Sequence, residues 1–413
     1  MDTSQSSDNA VTEQSKQRWD RLKPVWRRVR SRATVDSRSL AAFRIVIGFT
    51  LLVDLIHRAS YIELFYTDQG VYTLSTYAST YGQYDGLSIH AASGSLWFQQ
   101  FMFLVAGLFA IAFILGYRTR LAGAISLVLL VSLHARNPAV LNGGDLLFRI
   151  LLFVSLLSPL GERWSVDALR RGAAQSSVAT IGTVVLLLQP IVVFTSNAIL
   201  KHGGDHWYAG EGLKIALSND VMTVYLGNIL VEYASLLPVL NYIWVVLLAG
   251  SALFLLVPTG RLRAVVALAY MGAFAGMMMT MSVGIFPLAL VASVTPFLTA
   301  PFWDALTRRV PSEWIDRLPT PAQLGPFGKP SIERRLLETV RGRDHERVAS
   351  YIVSYAQSLV TMVGLLVLVW MLMFAADDAT EFDVPSEVDY EYLYQQNWGL
   401  YAPDPAESYS WYV

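Results

Sequence analysis

The sequence predicts an all-α, polytopic integral membrane helix bundle, with about nine transmembrane helices plus one half or interfacial helix. Three observations carry that prediction. Apolar side chains make up 54% of the 413 residues and charged ones only 15%, against about 25% charged in a soluble domain. Mean hydropathy is +0.42. Apolar runs close to the ~20 residues that cross a bilayer recur along the chain. With a net charge of −1, this composition excludes a disordered chain or a nucleic-acid binder. The absence of Cys excludes disulfides, thiol nucleophiles and Cys-ligated metals. The histidines assemble no metal-ligand motif, so no metal is expected.

The chain opens with a polar, basic segment, 1–38, in which Trp19 and Trp26 sit among arginines. It reads as an interfacial anchor on the cytoplasmic side. No apolar h-region precedes the first span, so the first membrane helix is expected to do the targeting. Apolar windows follow at 39–57, 97–116, 121–136, 146–160, 178–199, 240–257, 263–282, 284–300 and 351–375. A tenth stretch, 220–238, holds Asn228 and Glu232 and ends in Pro238, which suits a half-helix or surface helix.

Charge tests that layout. Of 31 Lys and Arg, 25 fall in 1–38, 118–120, 161–171, 261–263 and 308–347. Those are alternate connections when nine segments span and 220–238 does not. The positive-inside rule then puts the N-terminus in the cytoplasm. Residues 301–350 become a basic cytoplasmic linker, with a short helix expected at 331–342; its charge either sets topology or binds anionic lipid or a partner. The tail 376–413 has nine acidic residues and no Lys or Arg, and is placed outside.

Ionisable groups within spans are functional candidates because burying them in lipid is costly. Asp54 and Arg58 lie four apart on the first span and can pair across one helical turn. Arg44 sits near the cytoplasmic end of that span, where snorkelling would carry its head to the interface. The run from His134 through Arg136, Asn137 and Asn142 to Asp145 is a dense polar patch in an apolar stretch. It is either a capped outer turn or the wall of a polar cavity. Arg149, four residues after Asp145, is placed to pair with it.

The fifth span carries Gln189-Pro190, then Asn197 and Lys201 one turn apart on a shared face. A solvated Lys is protonated at neutral pH, with a reference pKa of about 10.4. A base at Lys201 therefore requires desolvation or neighbouring cations; the plain structural reading is an interfacial lysine holding the helix end.

Several motifs in order resemble the HTTM domain, found in prokaryotic relatives of vitamin K-dependent γ-carboxylase. They are Ser39-Leu40-Ala41-Ala42-Phe43-Arg44-Ile45, Phe65-Tyr66-Thr67-Asp68-Gln69-Gly70-Val71 and His134-Ala135-Arg136-Asn137-Pro138. The Asn142-Gly143-Gly144-Asp145 turn, Trp164 to Leu169, and Lys201 followed by Trp207-Tyr208-Ala209-Gly210-Glu211-Gly212 continue the series. Asn397 to Pro405 resembles the Trp-x-x-Phe-Ala-Pro-x-Pro box of bacterial members. The resemblance covers roughly 36–300 plus that box.

The resemblance implies a quinol-coupled carboxylase or epoxidase-like enzyme, in which a reduced quinone and oxygen generate a base that abstracts a substrate proton. By the same resemblance Lys201 is the catalytic base that deprotonates the quinol and Asn142–Asp145 is the stretch that helps position the quinone; the polar residues Asn197, Asp145 and Arg149 are expected near that base, about the quinone. The family enzyme has an Asn–His pair at the start of its fourth span. Asn142–Asp145 here carries no histidine, and His134 lies earlier. About 37 residues follow the last span, too few for the carboxylase's packed substrate domain. The alternative is a non-catalytic membrane factor binding lipid or a partner peptide in maturation or export. A transporter is a third reading, disfavoured by the lack of two-half symmetry.

Overall fold

The structure is a computed structural model that describes residues 30–82, 86–311 and 357–373, with the isolated positions 24, 27, 28, 355, 402 and 405. The Trp19/Trp26 anchor, the helix expected at 331–342, and the tail with its Asn397–Pro405 box lie outside the described residues, those isolated positions apart. The described chain is helical. Its one sheet is the antiparallel pair β1 (Val35–Asp36) and β2 (Ser177–Val178), with Val35 opposite Val178.

Helix α1 (Ser37–Ala59) starts where the Asp36 side chain accepts the Arg38 N–H at 2.8 Å. Leu40, Phe43, Ile47 and Leu51 are buried at helical spacing, so this helix runs through the core. Short helices α2 (Ile62–Tyr66) and α3 (Leu74–Tyr81) follow. Helix α4 (Leu96–Leu115) exposes Trp97, Phe101, Leu104, Leu108, Ile111 and Leu115, a continuous apolar stripe suited to lipid. It stops at Gly116, whose φ of +65° closes a left-handed cap. Helix α5 (Thr119–Arg136) takes its N-terminal cap from a distant residue: Asp167, on α7 (Val166–Arg171), accepts the Arg118 and Thr119 N–H groups at 2.9 and 2.8 Å.

Helix α6 (Gly143–Ser155) begins in a capping box: Asn142 Oδ1 accepts the Gly144 N–H, and Asp145 Oδ2 accepts the Asn142 N–H. Helix α8 (Ile181–His202), capped by Thr180 and Thr183, continues through Pro190. Helices α9 (Gly212–Leu217) and α10 (Leu226–Leu230) are short, and α10 is all the helix that 220–238 forms before Leu237. Then come α11 (Leu237–Ala249), α12 (Ser251–Leu256), α13 (Gly260–Thr280), α14 (Phe286–Val294), α15 (Ala300–Thr307) and α16 (Gln357–Met373).

By length and composition, α1, α4, α5, α8 and α13 can each cross a membrane. The other expected spans are shorter or broken. Helix α6 has 13 residues, a rise of about 20 Å against a ~30 Å hydrocarbon core. The 240–257 stretch divides at Gly250 into α11 and α12. The 284–300 stretch turns through Thr295–Phe297, and the following α15 leaves at 99°, with Pro296 and Pro301 at the break. The last, α16, has 17 residues among those described. The all-α membrane bundle stands.

Candidate functional site

The 3.6-residue period of α8 puts Phe194, Asn197 and Lys201 on one face, and all three line a cavity of about 500 Å³. Trp244 from α11, Phe274 and Met277 from α13, and Phe286 from α14 close the other walls. Almost the whole lining is apolar. Lys201 is 2% exposed, and its Nζ lies 3.7 Å from the centre of the Trp207 indole ring. An ammonium at that distance sits on the negative face of the ring's quadrupole. Position at a helix end suggested an interfacial lysine; the fold folds it inward instead.

A second cluster lies where α1, α5 and α6 meet. Arg58 donates to Asp54 at 2.9 and 3.0 Å, to Tyr66 Oη at 3.2 Å and to Asp145 Oδ1 at 2.5 Å. The Asp54–Arg58 pair expected across one turn of α1 is therefore present. The Asp145 carboxylate also meets Arg58, 87 positions away, and the half-buried Arg149 adds its charge to Asp145 and His134. The buried face of α1 brings Arg58 directly onto the helix start.

His134 is fully buried, and its Nε2 stands 3.6 Å from Asp145 Oδ1, too long for a hydrogen bond. So a histidine does reach the start of α6, supplied by α5 and absent from the Asn142–Asp145 run. Sequence spacing did not pair them; the only signal was an ionisable residue inside an apolar span. Among the described residues, neither ring nitrogen of His134 has a hydrogen-bond partner.

The two clusters adjoin without merging. Asn142, Asp145 and Arg149 do not line the Lys201 cavity, whereas Asn197 does. Between them stands Phe286: a Cβ added at Gly144 would fall 2.9 Å from the Phe286 Cβ and its backbone nitrogen. The glycine at 144 is what lets α6 approach that closely.

Arg44 does not snorkel. It is 0% exposed and donates to the carbonyls of Leu160 at 2.7 Å, Arg163 at 3.2 Å and Trp164. Those carbonyls belong to the loop between α6 and α7, so Arg44 fastens that loop to α1.

Outside the spans, His90 donates to or accepts from Ser132 Oγ at 2.7 Å. Burial, with the Arg136 charge nearby, holds His90 down at about 4. Arg136 itself is buried, donates to the carbonyl of Tyr72 at 3.0 Å, and stands over the Tyr72 and Tyr77 rings.

A family model for the HTTM domain matches residues 32–303. No curated protein and no solved structure matches the chain.

Proposed function

The chain belongs to the HTTM domain family, the domain shared with vitamin K-dependent γ-carboxylase, and on that premise we propose that its Lys201 cavity takes a reduced quinone, with Lys201 as the base. The observation that carries this reading is a lysine 2% exposed on the wall of a cavity of about 500 Å³ that is otherwise almost wholly apolar. That volume falls within the ~300–1,000 Å³ typical of small-molecule sites. The donor set suits a flat apolar ring bearing a hydroxyl: Lys201 and Asn197 supply polar atoms, and Trp207, Trp244 and Phe274 supply aromatic wall.

A bound reduced quinone would supply an acidic ring hydroxyl and two electrons for reaction with oxygen. Lys201 Nζ would accept the hydroxyl proton, and the Asn197 amide would orient the same end of the ring. The apolar walls would exclude water and strengthen each remaining electrostatic contact. Asp145, Arg58 and His134 would support α6 behind Phe286 and make no contact with the ring. On the positive-inside pattern the N-terminus would lie in the cytoplasm and the Lys201 end of α8 toward the outer face.

A second reading is a non-catalytic membrane factor that holds a lipid or a partner peptide. The position of His134 and Asp145 outside the lining of the Lys201 cavity favours it. Mass spectrometry of lipids released from the purified full-length protein separates the two. Co-purifying quinone, depleted in Phe274→Trp where the added ring fills the cavity, supports the first. Phospholipid alone, with no quinone retained after incubation with a quinone, contradicts it.

A further inference from the structure

We propose that Trp207, Gly212 and Asn241 form a clamp that positions the Lys201 amine on the cavity wall. It rests on the reading of Lys201 as the working amine and extends that site by Gly212 and Asn241. Trp207 is 3% exposed and its ring face carries Nζ. The indole cannot shift freely, because it is seated on the main chain of Gly212. A Cβ at that position would fall 2.4 Å from Trp207 Cδ2 and 2.6 Å from Cε3.

The main chain beneath the indole is fixed in turn by Asn241, a 0% exposed residue of α11. Its Nδ2 donates to the Trp207 carbonyl at 2.7 Å, and its Oδ1 accepts the Leu213 N–H at 2.9 Å. Leu213 is in the first turn of α9, where backbone N–H groups have no partner within the helix. One buried amide therefore satisfies both groups and ties the 203–212 turn and α9 to α11. The turn closes on itself as well: the Glu211 and Gly212 N–H groups donate to the His206 carbonyl at 2.9 and 3.0 Å. Gly210, at a φ of +86°, makes that reversal.

A purely structural role for this clamp would leave the lysine's chemistry alone. A positioning role would not, because the indole face favours the ammonium over the amine. The experiment is acylation of Lys201 in the full-length protein by a membrane-permeant amine reagent, followed by mass spectrometry across a pH series. Better access raises the labelling rate at every pH, whereas loss of the ring face moves the midpoint. In Trp207→Leu the midpoint is expected to fall by about one pH unit, which is about tenfold faster labelling at a fixed pH below it. Trp207→Phe, which keeps a ring, should recover more than half of that shift.

Asn241→Leu should move the midpoint in the same direction as Trp207→Leu, by less. Should Trp207→Leu fail to fold, Gly212→Ala tests the same seat through a one-carbon change and is expected to move the midpoint by at least 0.3 unit, on the order of a twofold rate change. An unchanged midpoint in the folded variants overturns the proposal. So does a native Lys201 that the reagent never modifies, since an amine on a cavity wall must be reachable. Labelling is read without turnover, so a native protein inactive on quinols would sink the base reading and leave the clamp standing or falling on its own result.

Discussion

Replacing Asp145 by Asn removes one charge from a buried pair while keeping the side-chain volume. The Asp145 and Arg58 side chains are 2% and 10% exposed, so water cannot take over the lost partner. Breaking a buried ion pair costs about 3–5 kcal/mol. Arg58 keeps its two bonds to Asp54 and one to Tyr66, which brings the loss toward about 2 kcal/mol. The capping box weakens too, since an amide oxygen accepts the Asn142 N–H less strongly than a carboxylate, adding up to about 1 kcal/mol. Asp145→Asn is therefore expected to destabilise the protein by about 3 kcal/mol, measured by denaturant unfolding in mixed micelles. A double-mutant cycle with Arg58→Met should give a coupling of about 2 kcal/mol, larger than the cycle with Arg149→Met. A larger coupling to Arg149 would refute the assignment of Arg58 as the carboxylate's main partner.

Gly182→Ala should destabilise by about 3 kcal/mol in the same unfolding assay, because its Cβ would fall 2.1 Å from the Leu157 backbone oxygen, where no rotamer can yield. Arg44→Lys should lose about 3 kcal/mol, since an ammonium cannot reproduce a planar fork on three carbonyls; equal stability would sink that role. His90 is lowered from 6.5 to about 4 by burial and Arg136, so the unfolded chain binds its proton first as pH falls. Its contribution, up to about 3 kcal/mol, is intact above about pH 6.5 and lost by about pH 4. The unfolding midpoint should decline over that window, and His90→Gln should flatten the decline.

Local pairings were legible from the sequence and distant ones were not. Asp54 with Arg58, and Asn197 with Lys201, are one turn apart, and helical periodicity alone puts each pair on one face. Arg58 with Asp145, His134 with Asp145, and Arg44 with the carbonyls at 160–164 depend on which helix faces pack together, and hydropathy carries no such information. The breaks in the bundle were hidden for a related reason. Residues on both sides of Gly250 and of Pro296 are equally apolar, so a window average stays high while the backbone turns. The cavity wall was invisible as a wall: Trp244, Phe274 and Met277 read as ordinary span residues until α11 and α13 are brought against α8.

The base reading meets its most direct test in quinol oxidation by the purified protein in liposomes, comparing the native chain with Lys201→Ala at matched quinone occupancy. Removing a general base costs about 10²–10⁴ in rate. A loss of at least 10²-fold in turnover, with bound quinone retained, is what the account predicts. Turnover that persists in Lys201→Ala within a few-fold of the native rate would contradict it.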